Sequence, residues 1–213
     1  MTNEVMNVTS KVPTTHAEEA DNLLAVTEDC GFEKLLKVKK GKFYVMEDEV
    51  PLGTEYLAHP SQLTLCWIKF ADGKVADRRH GKAADGYVPP EREELNDNDP
   101  STWETGLDGK PKDLWSFQHL LPLENLENSE VVIFTTSSVG GEIGVKELCR
   151  AWARRAKKGS RDLPIVKLAT TDMPTRAYGA VPRPCFPITA WDEVPASNVK
   201  VDVASELSDT IPF

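Results

Sequence analysis

The sequence predicts a mainly β protein, and two of its features support this expectation. Several short segments alternate apolar and polar residues, as in Leu36 to Lys39, with turn-forming residues between them. One segment alone, about Gly141 to Lys158, spaces its apolar residues at intervals of three and four, as an amphipathic helix requires. A chain of 213 residues with 40% hydrophobic content suits one domain with extensions.

The first predicted strand is long, from about Glu33 to Met46, and Gly41 inside it indicates a bulge or a sharp bend. The second is Leu63 to Phe70. Asp72-Gly73 then accepts the positive φ values of a tight hairpin turn, which leads into a third strand from Lys74 to about Lys82.

Residues 84–115 form a long inserted loop in this prediction, because four prolines and several Asn-Asp and Asp-Gly steps interrupt any periodicity. We expect Trp103 and Trp115 to hold this loop against the body of the domain. A loop of this length in a compact domain is either functional or partly disordered. A further strand pair follows, Trp115 to Leu123 and Glu130 to Thr136.

The predicted helix follows this pair, capped by Ser137 or Ser138 and closed by Gly159. The final predicted strands are Leu163 to Leu168 and Ala177 to Trp191, the latter an edge or irregular strand because it contains prolines. This order of elements fits an OB-like β-barrel with one amphipathic helix, if the 115–136 pair extends the third strand or forms an inserted hairpin.

The net charge of −9 is unevenly distributed along the chain. Residues 1–34, 91–113 and 192–213 carry −5, −5 and −4, so the remaining residues carry +5. We therefore predict three parts: a flexible acidic arm (1–31), an OB-like domain (32–192) and an acidic tail (193–213). An ordinary acidic protein with a mixed surface is the alternative that composition alone favours.

Cations alternate with aromatic residues in several predicted strands. Lys42 shares a strand face with Tyr44, and Trp67 shares one with Lys69. Cations that follow a groove and aromatic faces that stack on bases are what single-strand binding requires. The candidates are Lys37, Lys39, Lys42, Tyr44, Tyr56, Trp67, Lys69, Phe70, Arg78, Arg79, Arg176, Tyr178, Arg183 and Phe186. Trp67 also fits a core position, and Lys37 and Lys39 also fit the solvated face of an amphipathic strand.

The densest basic run lies at the end of the predicted helix, from Arg150 to Arg161. These cations could contact phosphates or a partner, or they could stabilise the helix dipole. The glycine-rich segment before the helix, Ser137 to Gly144, lacks the Gly-Lys-Ser/Thr ending of a phosphate-binding P-loop, so it is interpreted as a cap with flexible glycines.

The pattern of titratable residues predicts no catalytic or metal site. The four histidines lack metal-ligand spacing, and the four cysteines are widely separated, as reduced and mostly buried thiols would be. We therefore expect no enzyme and no cofactor. A magnesium-dependent nucleic-acid enzyme built from distant acids is the weaker alternative.

The chain ends on Asp209-Thr210-Ile211-Pro212-Phe213, with Glu206 upstream. This end resembles the C-terminal tip of bacterial and phage single-stranded-DNA-binding (SSB) proteins, and Trp67–Lys74 resembles a segment of phage-type proteins. In the SSB family the tip is a docking peptide. The terminal Phe offers a ring and an α-carboxylate together, which an apolar socket with a basic rim would bind.

The resemblance implies sequence-nonspecific binding of single-stranded DNA in phage replication, recombination or repair. Asp209, Ile211, Pro212 and Phe213 would then recruit partner proteins. The alternative is an adaptor or inhibitor that does not bind DNA and uses the tip to occupy host partner proteins. With no signal-peptide pattern and no apolar run of membrane length, we expect a cytoplasmic protein that does not engage a membrane, and a homo-oligomer is compatible with the sequence.

Overall fold

The computed structural model describes residues 34–71, 74–103, 105, 109–176 and 179–192, and over these ranges the chain forms twelve strands and one α-helix. The protein is therefore mainly β, as predicted. The strands are β1 Leu35–Lys39, β2 Lys42–Val45, β3 Asp48–Val50, β4 Glu55–Ala58, β5 Thr64–Ala71, β6 Lys74–Lys82, β7 Trp115–Asn125, β8 Val131–Thr136, β9 Leu163–Lys167, β10 Ala169–Thr175, β11 Gly179–Cys185 and β12 Ile188–Asp192; the helix α1 is Val139–Ala156. The predicted N-terminal arm, the Asp72-Gly73 turn and the C-terminal tail with its tip lie outside the described residues.

Ten of these strands form one sheet that curls strongly into a half barrel, consistent with the predicted OB-like β-barrel. The order across the sheet is β12-β9-β4-β7-β8-β1-β2-β3, and β5 and β6 join it through β7. The eleven-residue strand β7 organises this arrangement. Its first half pairs with β5, its second half pairs with β4, and its other edge pairs with β8. Residues from distant parts of the chain therefore meet on one curved surface.

The predicted long first strand is wrong, because the chain reverses completely at Gly41. β1 and β2 form an antiparallel hairpin in which Lys39 lies opposite Lys42. The two residues between them, Lys40 and Gly41, have φ values of 51° and 77°. Two positive φ values in a two-residue loop define the tight hairpin turn that the twist of β-strands favours.

The C-terminal strands also differ from the prediction. The predicted strand Ala177 to Trp191 is divided into β11 and β12, and β10, which was not predicted, pairs with β11 in a separate two-stranded sheet. Pro174 and Pro182 lie within this hairpin, and prolines are tolerated there because each strand has a free edge.

The apolar core lies between the sheet and α1. Phe43, Phe134 and Phe186 form a cluster of three rings with centroids 4.9 to 6.4 Å apart, and Val145 and Leu148 of the helix belong to the same core. The helical spacing therefore identified the buried face correctly. The predicted cap is confirmed as well, since the hydroxyl oxygen of Ser138 accepts a hydrogen bond from the backbone N–H of Gly141 at 3.1 Å.

Candidate nucleic-acid interface

A groove with a volume of about 830 Å³ runs along the face of the sheet opposite the phenylalanine cluster. Alternate residues of β1, β5, β7 and β8 form its floor, because side chains two apart on a strand point to the same face. The start of α1 and the β10–β11 hairpin form its walls. The floor is largely apolar, and it is lined by Leu35, Cys66, Ile68, Phe70, Leu120 and Ile133.

Five cationic side chains also line this groove, and no described carboxylate does. They are Lys37, Lys39, Lys40, Arg78 and Arg183. We call this feature the cationic groove. Lys37, Lys39 and Lys40 form no ion pair with any carboxylate in the described residues, whereas Arg183 makes two hydrogen bonds of 3.0 Å to Glu147. Unneutralised cations over an apolar floor suit a ligand that is anionic on one side and apolar on the other.

Lys37 is the partly buried cation of this groove. Burial of its amine and, to a smaller extent, the nearby charge of Lys39 lower the pKa of Lys37 below the ordinary lysine value. Both effects disfavour the protonated amine. An anion placed between these two lysines would reverse the second effect, because it would offset their mutual repulsion.

The wall formed by α1 depends on glycines that permit close packing. A Cβ atom at Gly140 would lie 2.7 Å from Cβ of Arg183, and one at Gly144 would lie 2.6 Å from the carbonyl oxygen of Pro184. Gly140, Gly141 and Gly144 are thus buried packing positions in the first turns of the helix, so their interpretation as flexible glycines is wrong, although Ser138 does cap the helix. The positive end of the helix dipole also lies at the groove, through Ser138 and Val139.

The sequence candidates divide between this groove and other parts of the molecule. Lys37, Lys39, Phe70, Arg78 and Arg183 line the groove. Two further candidates lie on the same sheet face at its rim, since Tyr44 and Lys42 are the register partners of Lys37 and Lys39. Lys42 is bonded to Glu49 at 2.8 Å, and the amine of Lys39 lies 6.0 Å from the centre of the Tyr44 ring.

Three candidates point to the opposite face of the sheet, so the structure does not bring them together with the lysines of the cationic groove. The Trp67 indole N–H donates to the carbonyl oxygen of Pro90 at 2.9 Å, and Lys69 pairs with Asp97 at 2.7 Å. Both therefore hold the inserted loop. Arg79 is exposed on this same face and pairs with Asp77.

The prediction is also wrong for Tyr56 and Phe186, because both belong to the core. Only 2% and 6% of their surfaces are exposed, so neither can offer a ring face to a base. Arg176 is exposed at the end of β10, away from the groove-lining residues. Tyr178 and the tip residues Asp209, Ile211, Pro212 and Phe213 lie outside the described residues.

The inserted loop on the opposite face is held by a dense set of side-chain contacts. Arg92 donates two hydrogen bonds of 2.7 Å to the carboxylate of Asp113 and further bonds to loop oxygens. Indole N–H groups of Trp103 and Trp115 donate to the carbonyl oxygens of Asp97 and Asn96 at 2.8 and 3.1 Å. Trp115, the first residue of β7, thus holds the loop to the sheet as predicted, whereas these contacts of Trp103 lie within the loop itself.

Sequence reasoning missed several groove residues. Lys40 was overlooked because it occupies the hairpin turn, and the polar side chains Gln118 and Thr135 were overlooked because they carry no charge. The register of β7 against β8 places these two polar side chains within hydrogen-bond distance, at 2.9 Å. Strand alternation alone could have indicated them, since each lies two residues from an apolar groove residue.

No group of three or more His, Cys, Asp or Glu side chains among the described residues is arranged to hold a metal ion. The helix α1 carries six charged residues in its eighteen, and neither it nor any shorter described helix combines the length and apolar character of a membrane span. Comparison of the chain with protein-family models, with curated proteins and with solved structures finds no match. The proposals below therefore rest on the fold, the groove and the sequence.

Proposed function

We propose that this protein binds single-stranded DNA without sequence specificity and recruits partner proteins through its C-terminal tip. The setting would be phage DNA replication, recombination or repair in the host cytoplasm. The supporting observation is the cationic groove itself. It collects five cations and no described carboxylate in a chain with a net charge of −9.

The groove lysines differ from several other cations of the described surface. Those cations are neutralised by a nearby carboxylate. Such pairs are Lys34–Glu130, Lys42–Glu49, Lys69–Asp97, Arg92–Asp113, Lys146–Glu142, Arg155–Asp162 and Lys167–Glu55. Among the described residues the lysines of the groove lack such partners, so a phosphate backbone would meet positive charge that no described carboxylate compensates.

The apolar floor favours a single strand over a duplex. In a single strand the bases are unpaired and can turn toward an apolar surface while the phosphates face the cations. Phe70 supplies an aromatic ring in the groove, and Tyr44 supplies one near its rim. A duplex keeps its bases stacked inside, so it would contact only the cationic rim.

The decisive test is a fluorescence titration of the full chain with labelled oligo-dT and with a matched duplex, at low and high salt. We expect preferential binding of the single strand and a negative slope of log K against log salt, of roughly −2 to −3 for three or four phosphate contacts. The double substitution Lys37→Gln/Lys39→Gln should weaken binding about tenfold or more. Its matched control is Lys112→Gln/Lys167→Gln, which removes the same charge from exposed positions outside the groove.

The adaptor hypothesis predicts a different result. It requires tip-dependent binding of a partner protein with no binding of oligo-dT at low salt. Because the acidic tail could itself compete for the groove, the titration is repeated with a chain that ends at residue 192. Failure of both forms to bind would refute the DNA-binding proposal and favour the adaptor.

A further inference from the structure

A row of cations covers the exposed side of the last turns of α1 and the turn that follows it. Arg150 and Arg154, four residues apart, lie on one face of the helix, and Lys157 and Lys158 follow directly after its final residue Ala156. All four residues are exposed. We call these four residues the helix stripe.

No carboxylate of the described chain forms an ion pair with the helix stripe. The two acids of α1 are already engaged, because Glu142 pairs with Lys146 and Glu147 pairs with Arg183. The nearest downstream acid, Asp162, accepts two hydrogen bonds from Arg155. The stripe is therefore a surface of uncompensated positive charge.

Stabilisation of the helix dipole accounts for only part of this arrangement. That effect is confined to the last turn of a helix, and Arg150 lies six residues before the final helical residue Ala156. Like charges four residues apart also destabilise a helix. The pair Arg150/Arg154 is therefore unfavourable within the helix, which is consistent with a role of this charge in binding an external anion.

The helix stripe and the cationic groove lie at opposite ends of the same helix. Arg183 lines the groove and is bonded to Glu147, which lies one helical turn before Arg150. The helix begins at the groove, where Ser138 and Val139 line it. With a rise of 1.5 Å per residue, the stripe extends to about 24 to 30 Å from that end.

We propose that the helix stripe is a second contact surface for the same nucleic acid, which engages the phosphates of a single strand after it leaves the groove. This proposal rests on the proposed function and extends it. A short oligonucleotide would fill the groove alone, whereas a longer one would also reach the stripe. Affinity and salt dependence should therefore increase with oligonucleotide length.

The test compares oligo-dT of about 6 nucleotides, which lies within the usual site size of about 4 to 16 nucleotides for such folds, with oligo-dT of about 30 nucleotides, which exceeds it. The double substitution Arg150→Glu/Arg154→Glu in the full chain should weaken binding of the long oligonucleotide at least about tenfold and reduce its salt slope by about 1 to 2. Binding of the short oligonucleotide should change less than about threefold, an allowance for the longer-range field. The matched control Lys112→Glu/Lys167→Glu carries the same change of net charge at exposed positions outside both surfaces.

Each outcome is informative. Weakened binding of the long oligonucleotide alone, with a circular-dichroism spectrum like that of the wild type, supports the extended path. Unchanged binding of the long oligonucleotide, or an equal loss for both lengths, overturns it, and unchanged binding would leave the stripe for an acidic protein partner. If the wild-type chain binds neither length, the proposed function fails and the extended path fails with it.

Discussion

The two faces of the β5 strand use the same kinds of residue for opposite purposes. Cys66, Ile68 and Phe70 face the cationic groove, where the neighbouring lysines have no carboxylate partner in the described chain. Trp67 and Lys69 face the inserted loop, where the indole is hydrogen-bonded and the amine is paired with Asp97. One face keeps its cations available to a ligand, and the other uses them to hold the fold.

The comparison shows that the partner of a cation is more informative than its presence. Lys37 and Lys69 both lie in strands beside aromatic or apolar residues, and each fits the pattern of a nucleic-acid contact. The two residues differ in their ion pairs, because Lys69 pairs with Asp97 whereas Lys37 has no carboxylate partner among the described residues. Substitutions on the loop face should therefore change stability, and substitutions on the groove face should change affinity.

The largest expected effect is on the loop face, at Arg92. Arg92→Met removes two hydrogen bonds to Asp113 and the bonds to the oxygens of Asn96, Asp97 and Asn98. We expect a loss of about 2 to 3 kcal/mol in the free energy of unfolding, because a partly buried carboxylate would lose its partner. Urea denaturation measures this loss, and affinity for oligo-dT should stay within about twofold of wild type.

The pH dependence of the Arg92→Met variant provides a second readout. Burial would raise the pKa of Asp113, but hydrogen bonds from Arg92 and from the N–H of Trp115 outweigh it and lower the pKa below 3.8. This stabilisation is present above the ordinary pKa and is lost as the pH falls through the lowered one, so the difference between wild type and variant should narrow below about pH 4. Lys112→Met, an exposed neighbour, serves as the control. An Arg92→Met variant as stable as the wild type would refute the role given to Arg92.

The next largest effect is expected in the groove, at Lys37. Because burial and Lys39 lower the pKa of Lys37, its charged amine destabilises the fold, fully at a pH below the lowered pKa and no longer above the ordinary lysine pKa. Lys37→Met should therefore weaken oligo-dT binding about five- to tenfold and leave the protein equally stable or more stable, by up to about 1 kcal/mol.

Lys39→Met is the matched comparison for Lys37→Met. Lys39 is exposed, so its removal should also weaken binding while the free energy of unfolding changes by less than about 0.5 kcal/mol. Thermal unfolding and the oligo-dT titration measure the two quantities on the same samples. A clear loss of stability in Lys37→Met without a loss of affinity would show that Lys37 is a structural residue.

The sequence was sufficient to locate many of the elements. β5 through β8 and α1 were placed within a few residues, because alternation and helical spacing are strong there and turn residues separate them. β3, β4 and β10 were missed. The first two are only three and four residues long, too short for a clear alternation, and β10 contains a proline.

The faces were harder to assign than the elements. Strand alternation separates Lys37 from Leu36 and Trp67 from Ile68, but it does not tell which face a distant segment will cover. That depends on the inserted loop, which covers the Trp67 face, and on the β10–β11 hairpin, which borders the groove. Tyr56 illustrates the same difficulty, since its burial results from pairing of β4 with both β7 and β9.

The smallest expected effect is also the most direct test of the two faces, at the neighbours Lys69 and Phe70. Lys69→Met removes the ion pair with Asp97 and should cost less than about 1 kcal/mol in the free energy of unfolding, with oligo-dT affinity within about twofold of wild type. Phe70→Leu removes the aromatic ring from the groove and should weaken oligo-dT binding by about three- to tenfold, since stacking contributes to each base contact. If Lys69→Met weakened oligo-dT binding as much as Phe70→Leu does, the bound DNA would have to contact the loop face as well. Lys69 and Phe70 are adjacent in the chain and differ in the face of the sheet to which they point. Such a result would therefore contradict the assignment of DNA binding to the groove face alone.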